Sequence, residues 1–183
     1  MSLAKRREFL MRERWFSPRD KVDIMDPHTQ TPVGYFQRKI FSIRALYRLY
    51  NLSGENELIV RQKLWDIRPT YRFFSGNSAG EPDEVALLGQ LRRKLLSLRP
   101  FYWFEGPDGT RRLEVKGDFF GLNYEIVEDG RSIGSVSKKF WAIRDTYGLR
   151  IESAVPDRTA LLLLGAVVVI HAIHEKRERR SRA

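Results

Sequence analysis

The sequence predicts a mainly β fold, a closed barrel of about twelve strands around a central hydrophobic helix. Two observations lead to this prediction: a short motif that recurs between Lys39 and Leu149, and an unbroken apolar segment that follows it. Apolar residues alternate within the motif with a period of two, which is typical of strands. The later segment is apolar on every side, as in a core helix, and a sheet closed around it would cover all its faces.

The motif reads Lys, four residues, Arg, two residues, Tyr. Clear copies start at Lys39, Lys63, Lys94 and Lys139, and weaker copies start at Arg14 and Lys116. Each copy is predicted to form a strand, a turn beside the arginine and a second strand, so six hairpins would give about twelve strands. The predicted first strands contain Phe41 and Ile43, Trp65 and Ile67, Leu96 and Leu98, and Trp141 and Ile143. The predicted second strands contain Tyr47 and Leu49, Tyr71 and Phe73, Tyr102 and Phe104, and Tyr147 and Leu149.

Length and composition favour one domain. The chain has 183 residues, of which 42% are hydrophobic, enough for one well-buried core. We expect the barrel domain over residues 8–174, a basic extension over 1–7 and a basic tail over 175–183. Cysteine is absent, which excludes disulfides and thiolate metal or redox sites and fits a reducing compartment. Charged residues interrupt the N-terminal apolar stretch that a secretory signal needs, so we expect a cytoplasmic protein, with a peripheral membrane location as an option.

The helix is predicted over about residues 158–174. Val155, Pro156 and Asp157 provide a stop and an N-cap, and the segment from Ala160 to Ile170 contains no polar side chain. From Ala160 to Ile173 a helix would be about 21 Å long, whereas a bilayer core needs about 30 Å. The segment is therefore interpreted as the core of the barrel.

The hairpins together with several local segments resemble the LURP-one-related family, which is grouped with tubby C-terminal domains and phospholipid scramblases. The resemblance covers residues 8–174 and is carried by 9–16, 22–26 and 145–151, followed by Asp157 and the apolar helix. It implies a twelve-stranded barrel around a hydrophobic helix. Tubby domains are phosphoinositide-binding membrane tethers, and scramblases are associated with lipid movement. In the counterpart of the scramblase calcium segment, Lys138 and Lys139 stand where carboxylates would be needed, so calcium binding is not expected.

The formal net charge of +10 and a sequence pI near 10.1 favour anionic partners. The motif arginines share one position, and a closed barrel would set them around one rim, where guanidinium groups suit phosphate. The candidate head-group ligands are Arg19, Arg44, Arg68, Arg99 and Arg144. The basic tail supplies Lys176, Arg177, Arg179 and Arg180 as a second candidate. Pairing of the arginines with local carboxylates and a purely solubilising tail are the alternatives. The motif lysines are expected at the other end of the first strands, as solvated charges: Lys39, Lys63, Lys94 and Lys139.

We therefore expect a non-catalytic domain that binds anionic phospholipid head groups at the cytoplasmic membrane surface. The alternatives are a protein-interaction or apolar-ligand module and, with charge as its sole support, nucleic-acid binding, which is the least favoured partner. The sequence contains no phosphate-binding loop, dinucleotide fingerprint, nucleophile elbow or zinc-protease motif, so neither an enzyme nor a cofactor is predicted. His171 and His174 lie one helical turn apart, but no further ligand at metal-site spacing accompanies them, so no metal is predicted.

Overall fold

Twelve antiparallel strands close into one barrel in the part of the chain that the structure describes. This computed structural model describes residues 2–13, 21–38, 45–64, 66, 69–76, 82–118, 123–137 and 146–181, with the backbone alone at residue 13 and over 175–181. The strands are β1 (Glu8–Glu13), β2 (Lys21–Met25), β3 (Pro32–Arg38), β4 (Leu46–Asn51), β5 (Asn56–Gln62), β6 (Thr70–Ser75), β7 (Leu87–Arg93), β8 (Phe101–Glu105), β9 (Arg111–Gly117), β10 (Asn123–Glu128), β11 (Arg131–Ser137) and β12 (Thr146–Ile151). Each strand pairs with the next in chain order, and β1 pairs with β12. Because the barrel closes in this way, it leaves no sheet edge, and the predicted fold class is confirmed.

The second half of the repeated motif forms strands, as predicted. Its tyrosines lie near the starts of β4, β6, β8 and β12, where their side chains are buried: Tyr47, Tyr71, Tyr102 and Tyr147. Inward and outward side chains alternate along the strands of the barrel, as the period of two requires. In β5, for example, Leu58 and Val60 pack in the main core, while Ile59 belongs to a separate cluster on the outer wall.

The first half of the motif was wrongly predicted as a strand in the copy that starts at Lys94. Leu96 and Leu98 are 91% and 93% exposed and lie in the connection between β7 and β8. The reason is the register: the preceding strand β7 already pairs with β8 up to Arg93 opposite Tyr102, so residues 94–100 are left to form the turn. The predicted first strands of the other clear copies, at 41, 43, 65, 67, 141 and 143, lie outside the described residues. The count of twelve strands is right because each of the six copies leads from an odd-numbered strand into the next even-numbered strand.

Helix α1 (Asp157–Ser181) fills the barrel. Its side chains from Ala160 to Ile170 are buried, and Gly165 lies so close to the wall that a Cβ there would be 2.5 Å from Leu58 Cδ2. The stretch Asp157–His174 has the length and mean hydropathy, 1.5, of a membrane span, but 61% of it is buried inside the barrel. The helix thus provides the core that the sequence predicts, and it continues well past the predicted end at 174.

The N-terminal segment contacts both the barrel core and the start of α1. Leu3, in a short 3-10 helix (Leu3–Lys5), is 1% exposed and belongs to the main core, although residues 1–7 were expected to be an extension. The Arg7 guanidinium donates hydrogen bonds to the carbonyls of Ala4, at 2.8 Å, and Val155, at 2.7 Å, and to Asp157 Oδ1, at 2.7 Å. This one arginine therefore holds the first turn of α1 at the end of the barrel where β1 begins.

Candidate functional site

The two ends of the barrel differ in charge. We call the end that receives the connections from each odd-numbered strand to the next even-numbered strand the basic end, and we call the opposite end the acidic end. By sequence, the connections of the basic end contain eleven Lys or Arg and four Asp or Glu. Those of the acidic end, including the segment from β12 into α1, contain eight Asp or Glu and no Lys or Arg. Among the connections, the positive charge is therefore concentrated at one end.

Two of the three basic residues of the N-terminal segment, Arg6 and Arg7, form ion pairs at the acidic end. Arg6 Nη1 lies 2.7 Å from Asp26 Oδ2, and Arg7 pairs with Asp157. The backbone N–H of Thr29 and the Arg6 guanidinium lower the pKa of Asp26 to about 2, so this carboxylate stays ionised. The charges of Arg6 and Arg7 are therefore balanced locally by carboxylates.

Of the five arginines predicted to form a rim, Arg99 lies in the described part of the chain. It is exposed in the connection between β7 and β8, at the basic end. The other four lie outside the described residues, and their role stays a prediction: Arg19, Arg44, Arg68 and Arg144. In each case the two flanking strands meet the basic end.

The motif lysines were expected at the opposite end from the arginines, and for two of them this is wrong. Lys63 and Lys94 directly follow β5 and β7, at the same end as Arg99. Their backbone N–H groups continue the ladders, bonding to the carbonyls of Thr70 and Phe101 at 2.9 Å. The lysines therefore add to the charge of the basic end; Lys39 and Lys139 are not among the described residues.

The tail begins as a continuation of α1. The helix runs from the acidic end, where Asp157 contacts Arg7, to the basic end, where His171 stacks on Tyr147 with ring centroids 4.2 Å apart. Its backbone remains helical to Ser181. The segment that contains Lys176, Arg177, Arg179 and Arg180 therefore leaves the barrel through the basic end, on the same side as the motif arginine that the structure describes.

Inside the basic end, tyrosines from all the even-numbered strands except β2 surround α1. They are Tyr47, Tyr71, Tyr102, Tyr124 and Tyr147, all in the main core. Tyr102 and Tyr124 have ring centroids 6.4 Å apart, and Tyr124 lies 6.3 Å from the His174 ring. Burial raises the pKa of the Tyr71 and Tyr124 hydroxyls, with further contributions from Tyr102, so both stay protonated. We call this set the tyrosine collar.

Two arginines that the sequence analysis missed face this collar. Arg38 stands directly opposite Tyr47 and Arg93 opposite Tyr102, so each shares the inward face of its partner. The guanidinium carbons lie 5.9 Å and 6.0 Å from the respective ring centroids. Within the described ranges, Arg93 makes no ion pair. The signal that identifies them is strand parity: each lies two residues beyond an inward apolar residue, Phe36 or Leu91.

Two arginines of the outer wall, Arg61 and Arg72, form ion pairs with one carboxylate. Arg72 donates to both carboxylate oxygens of Glu84, and Arg61 Nη2 lies 3.1 Å from Glu84 Oε1. The bond from Arg72 lowers the pKa of Glu84. The guanidinium carbon of Arg61 lies 5.0 Å from the centroid of the Phe74 ring and that of Arg72 lies 5.4 Å from it. Phe74 belongs to the apolar cluster on the outer wall, which both arginines cover. These contacts are structural, which leaves the basic end as the candidate site.

The described residues of this end show contacts between aromatic rings and histidines rather than a metal site. The described residues contain no group of three His, Asp or Glu side chains that is suited to hold a metal ion. His171 and His174 contact the tyrosine collar instead of forming a ligand set. A closed twelve-stranded barrel with a helix in its core is a tubby-like barrel fold.

The chain belongs to the LURP-one-related family, which it matches over residues 7–171. Among curated proteins it is similar to the uncharacterised protein YxjI of Bacillus subtilis, with 23% identity over 144 residues, 79% of this chain and 81% of the relative. Among solved structures it is similar to the X-ray structure of a protein from Arabidopsis thaliana, with a TM-score of 0.65 at 13% identity and coverage of 92% of both chains. The latter supports the fold, and the family supports the class of binding domain.

Proposed function

We propose that this chain is a non-catalytic domain that binds anionic phospholipid head groups at the cytoplasmic membrane surface through its basic end. The main support is the separation of charge: eleven Lys or Arg against four Asp or Glu in the connections of one end, and eight acidic residues with no Lys or Arg at the other. A flat anionic surface would attract the first end and repel the second. The protein would therefore approach with the barrel axis upright.

The strength of this attraction follows from the number of charges that can reach the surface together. Each Lys or Arg near an anionic leaflet contributes about 1 kcal/mol, and the contribution falls off within about 10 Å at moderate salt. Because the strands that these connections join close into one barrel, many of the connections would meet a plane at once. Guanidinium forks bind phosphate oxygens in pairs, which gives the motif arginines an advantage over lysines.

The position of α1 adds a second basic element to the same end. The tail segment emerges there with four Lys or Arg among residues 176–180. The rim and the tail would therefore act on the same leaflet, and each can be removed separately. Inside the barrel, the tyrosine collar lies behind them, with Arg38 near Tyr47 and Arg93 near Tyr102.

Co-sedimentation with phosphatidylcholine vesicles, with and without phosphatidylserine, at low and physiological salt, tests the proposal. We expect binding to the acidic vesicles alone, weakening steeply as salt rises. Replacing Arg44, Arg68 and Arg144 together with Gln should remove most binding if the rim carries it; deleting residues 176–183 should do so if the tail carries it. Circular dichroism should be unchanged in both variants.

The chain offers a matched control for the triple variant. Arg111, Arg112 and Arg131 are exposed and lie at the starts of β9 and β11, at the acidic end. Replacing these three with Gln lowers the net charge by the same amount, yet we expect binding to be retained. Equal binding to neutral and acidic vesicles, or no binding at low salt, would reject the lipid proposal.

Two further measurements test nucleic-acid binding and calcium dependence. A duplex DNA shift assay under the same salt conditions tests nucleic-acid binding, for which charge is the sole support. Calcium should not change vesicle binding, because Lys138 and Lys139 stand where the carboxylates of a calcium site would be needed. Calcium-dependent binding would contradict this expectation.

A further inference from the structure

One connection at the basic end exposes three leucines. Leu95, Leu96 and Leu98 are 49%, 91% and 93% exposed, and they make up three of the five large hydrophobic side chains that are exposed among the described residues. The other two, Leu52 and Val85, belong to connections at the acidic end. Clustered exposed apolar side chains mark an interaction surface more often than scattered ones do.

The backbone holds this connection at both of its ends. The Lys94 N–H bonds to the Phe101 carbonyl at 2.9 Å, and the Gly117 N–H bonds to the Pro100 carbonyl at 2.8 Å. Between these anchors the leucines turn away from the barrel core, although β7 and β8 bury apolar residues close by. The exposure is therefore a property of an anchored turn rather than of a chain end.

We propose that the connection 94–100 is a membrane-insertion element, in which Leu95, Leu96 and Leu98 enter the interfacial layer of an anionic bilayer. This inference rests on the proposed function and deepens it. Lys94 and Arg99 flank the leucines, and bulky apolar residues between basic ones are the composition of interfacial membrane segments. Long basic side chains hold their charge at head-group level while neighbouring apolar groups lie deeper.

A bilayer fits this surface better than the other anionic partner. A nucleic-acid backbone offers phosphate for the basic residues but no apolar layer for three leucines. The surrounding charge would bring the connection to the leaflet first, because it lies on the end that an anionic membrane attracts. The same motif order, Lys, apolar residues and Arg, stands in the sequences 39–44, 63–68 and 139–144, but the inference rests on 94–100 alone.

The absence of cysteine from the sequence allows a site-specific test on the full chain. Leu96→Cys and Val85→Cys are matched, because both parent side chains are 91% exposed and they lie at opposite ends of the barrel. Each variant is labelled with the environment-sensitive dye NBD and mixed with phosphatidylcholine–phosphatidylserine vesicles. We expect a blue-shifted, brighter emission for the label at 96, quenched by lipids that carry a shallow nitroxide, and no change at 85.

An affinity measurement complements the labels. Replacing Leu96 and Leu98 with Ser should weaken binding to acidic vesicles by on the order of tenfold for each leucine that is buried. The residual binding should be more sensitive to salt, because charge alone remains. Replacing Leu52 and Val85 with Ser should leave binding as in the wild type.

The outcomes separate this inference from the proposed function. If the wild type binds acidic vesicles but the label at 96 and the serine variant behave like their controls, binding is purely electrostatic; the insertion element is refuted and the proposed function stands. Labels that respond equally at 85 and 96 would also refute it, because insertion would have no preferred end. Failure of the wild type to bind acidic vesicles at low salt would overturn both.

Discussion

A scan of four consecutive leucines in α1 tests whether the helix is surrounded by the barrel. Consecutive helical residues point about 100° apart, so residues 161–164 sample the whole circumference. All four side chains are buried: Leu161 is 9% exposed, Leu162 7%, Leu163 2% and Leu164 0%. A helix lying on a sheet would expose at least one of them. We therefore expect every single Leu→Ala variant to be destabilised.

The expected size follows from the loss of buried methyl groups and the cavity left behind. A buried Leu→Ala change lowers the free energy of unfolding by about 2–5 kcal/mol. For a chain of this length each kcal/mol shifts Tm by about 2–4 °C, so each variant should melt about 4–20 °C below the wild type. Leu163 and Leu164, which are the most buried, should lie toward the upper end of that range.

Urea unfolding followed by circular dichroism and by tryptophan fluorescence provides the measurement, with thermal melts alongside. Leu96→Ala and Leu52→Ala are the controls, because their side chains are 91% and 69% exposed; changes within about 0.5 kcal/mol are expected. One neutral variant among the four helix positions would show that this side of α1 faces solvent, and the argument for a surrounded helix would fail there.

Three further changes test other parts of the structure. Deleting the chain from Asp157 onward should give an aggregated or unfolded product in size-exclusion chromatography, because the barrel would lose its core; a folded, monodisperse truncation would contradict this. Arg7→Ala should lower the unfolding free energy by about 1–3 kcal/mol, because it removes the charged donor that hydrogen-bonds to the backbone carbonyls of Ala4 and Val155. An unchanged urea unfolding curve would refute this prediction. Asp26→Asn should destabilise the protein at pH 7 by up to about 1 kcal/mol, discounted for solvent screening. Because the pKa of Asp26 is lowered from 3.8 to about 2, that difference should persist above pH 4 and vanish as pH falls through 2; a constant difference would contradict the assignment.

The fold could be predicted because two patterns in the sequence agree. The apolar segment from Ala160 to Ile170 is too uniform for a surface helix and too short for a typical membrane span, and the repeated motif supplies strands with one apolar face. The wrong strand prediction at residues 94–100 arose because an alternating apolar pattern can stand in a strand or in an exposed turn. Leu96 and Leu98 alternate like strand residues, and their exposure is decided by the register of β7 against β8, which a local pattern does not contain.

The candidate site was harder to predict for the same reason. Arg38 and Arg93 stand at strand ends, where a basic residue is usually solvated, and their inward orientation depends on the parity of β3 and β7. The separation of charge also requires strand boundaries, because the sequence alternates basic and acidic connections without showing that they lie at opposite ends. Arg99 was placed at a rim from the motif alone, and the structure puts it in a connection at the basic end.

The topology also sets an order of events during synthesis. The wall closes by pairing Phe9 in β1 with Leu149 in β12, and the helix that packs inside follows β12 in the chain. At ribosomal speeds of about 5–20 residues per second, the first strands would wait on the order of ten to thirty seconds for these last elements. During that time the inner apolar faces lack their partner, and exposed apolar surface of this kind is prone to aggregate. Variants that weaken α1 should therefore reduce the yield of folded protein in cells more than their equilibrium stability suggests.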